Sequence, residues 1–408
     1  MTESLGPYEL GRVHHADCRE ALAAMPAESV QCCVTSPPYW GLRKYDVPDL
    51  VWGGDAACAH EWHENGEKHV APQRDHSGNM GHHSETMGRQ GASGAAGGSR
   101  SLGSTCCLCG AWRGQLGLEP TPDLYVAHMV SIFREVRRVL HDDGTLWLNI
   151  GDAYNAYNHN RGPSTGFSDG TSGRGHPSHD QGLADPRLKP KDLIGIPWLL
   201  AFALRADGWF LRAEIIWHKT APMPESVRDR PTRAHEQVFL LSKSGRYFYD
   251  HEAASDEATY GGKVVSLGAK SLSNGTAAAQ GIKGTGNATA EAITVAARRN
   301  WRTVWTIGPE PSREKHYAPF PTELARRCIV AGTKKGDVVL DPFAGTGTVA
   351  SVAEHHGRRH IGFDLGGAYT DLANRRIAAE HERLGEVRPA FAKAGQQAGL
   401  FAGMESKP

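Results

Sequence analysis

Val338-Val339-Leu340-Asp341-Pro342-Phe343-Ala344-Gly345-Thr346-Gly347 is the stretch from which the fold of this 408-residue chain can be read. Three apolar residues make a strand buried on both faces, and a turn with two glycines follows. A helix then runs to His356, and His360-Ile361-Gly362-Phe363 makes a second strand closed by Asp364. Strand, helix and strand in that order form a βαβ unit, which requires a parallel sheet covered on both faces. At Gly345 and Gly347 backbone N–H groups can approach a ligand with no Cβ in the way, as a nucleoside cofactor needs. Asp364 lies near the ~20-residue offset at which an acid hydrogen-bonds ribose hydroxyls. No Gly-Lys-Ser/Thr follows, so a nucleoside triphosphate loop is excluded, whereas Gly345-x-Gly347-x-x-Ala350 alone also fits a nicotinamide dinucleotide.

Upstream, Pro321 to Ala331 reads as the helix feeding this unit. Residues 8–40 read as a strand, a helix from Arg19 to Met25, and a buried strand Val30 to Thr35 stopped by Ser36-Pro37-Pro38-Tyr39-Trp40. Val126, Met129, Val130, Phe133, Val136, Val139 and Leu140 recur at helical spacing, and Asp142-Asp143-Gly144 turns that helix into the strand Thr145 to Ile150. Asp192 is placed to cap a helix ending at Asp207-Gly208, and strands Phe210 to Trp217 and Gln237 to Leu241 follow. Between these regular stretches lie three Gly/Ser-rich segments, residues 64–105, 155–190 and 253–297, too poor in apolar residues for cores of their own.

Composition limits the function. Lys+Arg 45 against Asp+Glu 45 leaves no bulk positive charge to hold a polyanion, so any nucleic-acid contact must be local. No apolar stretch is long enough to span a membrane and no secretion signal opens the chain, which places it in the cytoplasm. Eight cysteines in such a chain favour reduced thiols or a metal over disulfides.

Ser36-Pro37-Pro38-Tyr39 ends an apolar strand, where open α/β sheets place their chemistry. The Ser36 hydroxyl and the Pro37 carbonyl are both acceptors for one amino group, and Tyr39 and Trp40 offer flat faces on which a base could stack. Thr35-Ser36-Pro37-Pro38-Tyr39-Trp40 followed, near the carboxyl end, by Asp341-Pro342-Phe343-Ala344-Gly345-Thr346-Gly347 resembles the amino-group DNA methyltransferases in their beta arrangement. There the catalytic motif precedes the S-adenosylmethionine motif, with a target-recognition region between. Ala16-Asp17-Cys18, Leu148-Asn149-Ile150-Gly151-Asp152, Pro222 to Arg233 and Tyr317-Ala318-Pro319-Phe320-Pro321 match as well, and the resemblance covers about 10–50, 124–250 and 301–378.

The resemblance implies a Rossmann-like α/β fold with a mostly parallel sheet, long loop insertions and a small recognition module. It implies that Asp341, Phe343, Gly345, Thr346 and Gly347 bind the methionine and sugar part of S-adenosylmethionine. Asp364 would hold the ribose, Asp17 would sit near the adenine, and Phe320 and Pro321 would open the pocket. Ser36, Pro37, Pro38 and Tyr39 would be catalytic. In this family Ser at the first position goes with cytosine-N4 transfer and Asp with adenine-N6 transfer, so Ser36 favours cytosine in double-stranded DNA, with adenine the alternative. Carbon methylation would need a Pro-Cys nucleophile, which is absent, and Cys32 and Cys33 read as core residues. Asp152 could line the base pocket or cap the loop after it.

Cys58-x-His60 and Cys106-x2-Cys109 flank the Gly-rich insertion and supply the four ligands of a tetrahedral zinc site, with Cys107, His63 and His69 as alternative ligands. His82 and His83 read as solvated loop. Arg228, Arg230 and Arg233, and Arg298, Arg299 and Arg302, form two local basic clusters suited to a phosphate backbone. These readings divide the chain into a catalytic part over 1–252, with the insertion at 53–115, and a recognition module over 253–300. A cofactor-binding part over 301–385 and a flexible tail over 386–408 complete it. A homodimer is compatible with the sequence and no partner nuclease is evident in it. A nicotinamide-dependent oxidoreductase would leave Ser36 to Tyr39 unexplained, and a non-catalytic zinc-stabilised nucleic-acid binder would leave the glycine turn unexplained.

Overall fold

The computed structural model describes residues 3–64, 103–155, 185, 187–222, 224–225, 227–259, 264–266, 292–294, 296–310 and 320–399. Tyr317 to Pro319, His69, His82, His83 and most of the three Gly/Ser-rich segments lie outside them. Among the described residues no helix is long and apolar enough to cross a membrane.

In chain order the elements are β1 (Ser4–Leu5), β2 (Tyr8–Glu9), β3 (Arg12–His15), α1 (Cys18–Ala24), β4 (Val30–Thr35), β5 (Leu50–Trp52), β6 (Trp62–Glu64), β7 (Ser104–Cys106) and β8 (Trp112–Gly114). Then come α2 (Pro122–Val139), β9 (Leu140–Ile150), α3 (Ile196–Ala206), β10 (Phe210–His218), β11 (His235–Ser242), β12 (Ser255–Glu257), β13 (Val264–Ser266), β14 (Ala292–Thr294), β15 (Arg298–Asn300) and β16 (Val304–Thr306). The chain closes with α4 (Thr322–Gly332), β17 (Val338–Asp341), α5 (Thr348–His355), β18 (Arg359–Asp364) and α6 (Gly367–Gly399).

Two compact units result: residues 1–39, 126–154 and 192–408 form the first, and residues 40–125 and 155–191 the second. The first is built on an eight-stranded sheet of order β16-β10-β11-β9-β4-β17-β18-β3. All neighbours pair in parallel except β11, which runs against both β10 and β9. Continuous apolar runs explain the central strands: Val338, Val339 and Leu340, and Val30, Cys32, Cys33 and Val34, are all buried, as strands covered on both faces must be. Helix α4 buries Leu324, Ala325, Cys328 and Ile329, a stripe at helical spacing, in the core that also holds Val34, Trp147 and Val339. Each such aliphatic side chain contributes about 1.5–3 kcal/mol by leaving water.

Local departures from the sequence reading have physical causes. Leu140 and Thr145 pair with Val30 and Cys32, so residues 141–144 bulge opposite Gln31 inside one long strand, and Gln31 Nε2 donates to Asp143 there at 3.1 Å. Helix α3 starts later than expected and Asp192 does not cap it. Its N-cap is Gly195 (φ +81), and Asp152 Oδ1 accepts from the N–H groups of Gly195 and Ile196, both at 2.9 Å. Asp152 therefore serves as a remote cap of α3. The last helix runs to Gly399, into the 386–408 segment expected as a flexible tail. In the 253–300 region, β12 pairs with β15 and β13 with β14, both antiparallel.

The second unit contains a four-stranded sheet of order β5-β8-β7-β6, with Trp52, Ala111 and Trp112 in its core.

Candidate active site

Parallel pairing brings the carboxyl ends of β3, β18, β17, β4 and β9 to one edge of the sheet. On either side of β4 lie β17, from the end of the chain, and β9, from its middle, so the order reverses there, as at a ligand-binding switch point. Asp17, Ser36, Gly151, Asp341 and Asp364 all follow or end these strands.

On the cofactor side, half-buried Gly345 (φ +51) has nothing within 4 Å of where a Cβ would stand, which leaves its backbone open to a ligand. Its N–H donates to Asp364 Oδ2 at 2.9 Å, and Gly366 N–H donates to Oδ1 at 2.7 Å. Burial raises the Asp364 pKa, and these two N–H groups oppose the rise. Gly347 (φ +75) is the N-cap of α5, and Thr346 is braced from α6 by Arg376, whose Nη1 donates to its carbonyl at 2.8 Å and its hydroxyl at 2.9 Å. An open glycine edge, a helix N-terminus and a carboxylate on the neighbouring strand fit the sugar and amino-acid ends of S-adenosylmethionine. Asp17 caps α1 through Arg19 N–H and pairs with the Arg19 guanidinium at 2.6 Å. Phe320 packs on the main core, and Pro321 is the N-cap of α4.

Asp341 joins the two halves of the site. Its Oδ1 accepts from the Thr35 hydroxyl at 2.6 Å and from Phe343 N–H at 3.0 Å, tying the strand that carries Ser36 to the strand that carries the glycine turn. Burial pushes its carboxyl up to about 7, against the lowering effect of those two bonds.

On the catalytic side, Ser36 Oγ donates to Tyr39 Oη at 3.2 Å. Tyr39 Oη lies 2.8 Å from Glu236 Oε2 and 3.1 Å from Asn149 Oδ1, and its single proton favours the charged acceptor. Asn149 Nδ2 donates to the same Glu236 oxygen at 3.2 Å, and Lys219 pairs with the other. The Tyr39 ring packs against Gly151, where a Cβ would come within 2.5 Å of it. Pro37 is buried, whereas Ser36, Pro38 and Tyr39 are half-buried. Trp40 offers no stacking face: it is 1 % exposed and its Nε1 donates to the Glu119 carbonyl. Cys32 and Cys33 are buried in β4, with burial pushing Cys32 up to about 12, so neither supplies a thiolate.

Glu236, Lys219, Thr35 and Arg376 were not found from the sequence. Each is a common residue type whose partner is remote in the chain or belongs to no motif. Only Thr35, beside Ser36, carried a positional hint.

The basic residues are partly engaged. Arg230 pairs with Glu225 at 2.5 Å and lies 3.9 Å over the Tyr154 ring, and Arg233 approaches Asp152 at 3.8 Å. Arg298 donates to the Ser255 hydroxyl and carbonyl, joining β15 to β12, while Arg228 is exposed and Arg299 half-buried. In the second unit Cys58, His60, Cys106 and Cys109 converge, with their ligand atoms all within 4.8 Å of one another. Cys107 is exposed beside Glu61, and His63 lies on β6 opposite Thr105, so neither belongs to that group.

The chain is similar to known proteins over most of its length. The DNA methylase (N6_N4_Mtase) family model matches residues 30–375. The chain is 35 % identical to the Type II methyltransferase M.Cfr9I of Citrobacter freundii over 376 residues, covering 92 % of this chain and 90 % of that protein. It is 36 % identical to the Type II methyltransferase M.SmaI of Serratia marcescens over 361 residues, covering 88 % of each. Among solved structures, PvuII DNA methyltransferase (cytosine-N4-specific) aligns with a TM-score of 0.48 at 16 % identity, over 94 % of this chain and 93 % of that one. A family match across most of the chain and relatives one-third identical over nearly their whole length settle the assignment: the chain belongs to the DNA methylase family and is an S-adenosylmethionine-dependent amino-group DNA methyltransferase.

Proposed function

We propose that this enzyme methylates the exocyclic N4 of cytosine in duplex DNA, acting on a base rotated out of the helix. The observation that carries the reading is the orientation of Ser36. Because Tyr39 gives its one proton to Glu236, Ser36 is the donor across its 3.2 Å contact with Tyr39 Oη, which leaves its lone pairs to accept from a substrate amino group. Tyr39 passes the polarisation on to Glu236, so the neutral serine becomes a stronger acceptor than an isolated hydroxyl. Ser at this position is also the residue that goes with cytosine in the family. M.Cfr9I and M.SmaI are named Type II methyltransferases, which supports site-specific methylation of the kind that accompanies restriction.

S-adenosylmethionine, when bound, supplies an electrophilic sulfonium methyl group. The glycine turn, Asp364 and the α5 N-terminus hold and orient it, while Asp17, Phe320 and Pro321 border its pocket. The amino nitrogen of a base is a weak nucleophile because its lone pair is delocalised into the ring. Hydrogen bonds from that group to Ser36 Oγ and the Pro37 carbonyl favour a tetrahedral nitrogen whose lone pair points at the methyl carbon. Tyr39, its hydroxyl anchored and its ring fixed by Gly151, replaces part of the stacking the flipped base has lost. The nitrogen sheds one proton after transfer. Ser36 Oγ takes it as the Ser36 proton moves to Tyr39 and the Tyr39 proton moves to Glu236, which ends neutral. Arg228, Arg230, Arg233, Arg298 and Arg299 are assigned to the DNA backbone, and no member of the Cys58 cluster enters the transfer step.

The kinetic test uses two variants. Ser36→Ala is expected to lower kcat by roughly 10²–10³-fold, the range for losing one preorganised hydrogen bond, with cofactor affinity unchanged by calorimetry. Glu236→Gln is expected to lower kcat with little effect on KM for DNA. Restoring turnover to Glu236→Gln by adding Ser36→Asp, which supplies a charged acceptor directly, would separate the relay from a merely structural role. Full activity in Ser36→Ala would overturn the site.

A further inference from the structure

We propose that Cys58, His60, Cys106 and Cys109 bind one Zn²⁺ in a closed site that holds the second compact unit together. Tetrahedral zinc with Zn–S of about 2.3 Å and Zn–N of about 2.0 Å sets S–S edges of about 3.8 Å and S–N edges of about 3.5 Å. Cys58 Sγ to Cys106 Sγ is 3.8 Å, and Cys109 Sγ to His60 Nδ1 is 3.4 Å. All four donor atoms fall within 4.8 Å of one another, so side-chain shifts of about 1 Å or less would bring every pair to those edges. Three soft sulfur donors and an imidazole select zinc over calcium or magnesium, which take oxygen ligands. Four protein ligands leave no position for a water or substrate, so the role is structural.

The backbone is shaped around this centre. Gly110 (φ +73) donates its N–H to the Cys106 carbonyl at 3.0 Å, closing the turn that aims Cys106 and Cys109 the same way. Gly54 (φ +75) presses against the cluster, and a Cβ there would lie 2.8 Å from Cys109 Sγ. His60 itself sits at φ +39, a left-handed conformation that a non-glycine residue adopts at a cost.

The need for a metal follows from the elements. Strands β5 to β8 have three residues each, too short to be stable as an isolated sheet. The ligands come from both sides of the long stretch between Glu64 and Ser104: Cys58 and His60 from the β5–β6 connection, and Cys106 and Cys109 from β7 and the turn after it. One ion therefore ties both ends of that insertion, and its binding energy becomes folding energy of the unit.

Elemental analysis of the purified full chain is expected to return about one zinc per protein, as a single four-ligand site requires. The Co²⁺-substituted protein should show the visible bands and sulfur-to-cobalt charge transfer of a tetrahedral thiolate site. Cys106→Ser and His60→Ala should lose the metal, and Cys107→Ser should keep it. Should the ligand variants fail to fold, alkylation of the wild-type chain followed by peptide mass spectrometry gives the same answer. Cys107 should react at once, and Cys58, Cys106 and Cys109 only after a chelator is added. Only trace metal, a Cys58–Cys106 disulfide, loss of zinc in Cys107→Ser, or equal reactivity of all four thiols without chelator would each overturn the proposal. None of these readouts involves DNA or methyl transfer, so the zinc site and the target-base assignment fail separately.

Discussion

Ser36 works through what it touches. Tyr39 stands between it and Glu236, and Tyr39→Phe keeps the ring while removing the link. That variant is expected to lose roughly tenfold in kcat, the cost of about 1.4 kcal/mol of transition-state stabilisation, whereas Tyr39→Ala should also raise KM for DNA because the stacking face goes too. Asp341 carries a different signature. Its folded carboxyl titrates at about 7, because burial outweighs its bonds to Thr35 and Phe343, and unfolding returns it to about 3.9. Between those values the folded chain holds a proton that the unfolded chain lacks, so this group makes stability fall as pH rises from about 4 to about 7. Asp341→Asn is therefore expected to match the wild type near pH 4 and to exceed it at pH 8 by up to about 4 kcal/mol, read by urea denaturation at both pH values. A wild-type protein more stable than the variant at pH 8 would contradict the burial argument.

The β17–turn–α5–β18 unit was legible because every cue for it is local: an apolar run, glycines that need positive φ, and an acid at the end of the next strand. Gly347 shows what those cues encode. At φ +75, with the Ala373 Cβ of α6 2.8 Å from where its own Cβ would be, Gly347→Val combines backbone strain with a clash. It is expected to abolish both cofactor binding and turnover, with calorimetry as the check. Gly151→Ala is a milder test of the other half. Its Cβ would push the Tyr39 ring, so turnover should fall while cofactor binding persists. Features fixed by remote partners were not legible. Asp192 looked like the cap of α3 because caps are sought just before a helix, but the carboxylate that arrives is Asp152, 43 positions before Gly195 N–H and brought there by β9. Glu236 reaches Tyr39 only because β11 lies beside β9, a pairing no motif announces. Trp40 looked like a stacking platform because it follows Tyr39, yet the chain enters a different unit at that residue.

A chain with 45 basic and 45 acidic residues gains nothing from bulk attraction to DNA, so the arginines that meet the backbone must act one by one. Arg228→Ala is expected to weaken duplex binding uniformly across sequences and to reduce the slope of log K against log salt by about 1, measured by fluorescence anisotropy. An unchanged slope would remove Arg228 from the interface. The cysteines divide just as clearly. Cys18, Cys32, Cys33 and Cys328 are buried with their thiol pKa values raised by desolvation, so none of these four supplies the thiolate that a cysteine adduct would need. Methyl transfer by this family goes to an exocyclic nitrogen, and the target base is the part of the account to test. The deciding measurement is to incubate the purified protein with labelled S-adenosylmethionine and mixed-sequence duplex DNA, digest to nucleosides, and identify the methylated one by mass spectrometry. N4-methylcytosine is the expected product, and N6-methyladenine would contradict the assignment drawn from Ser36 and its neighbours.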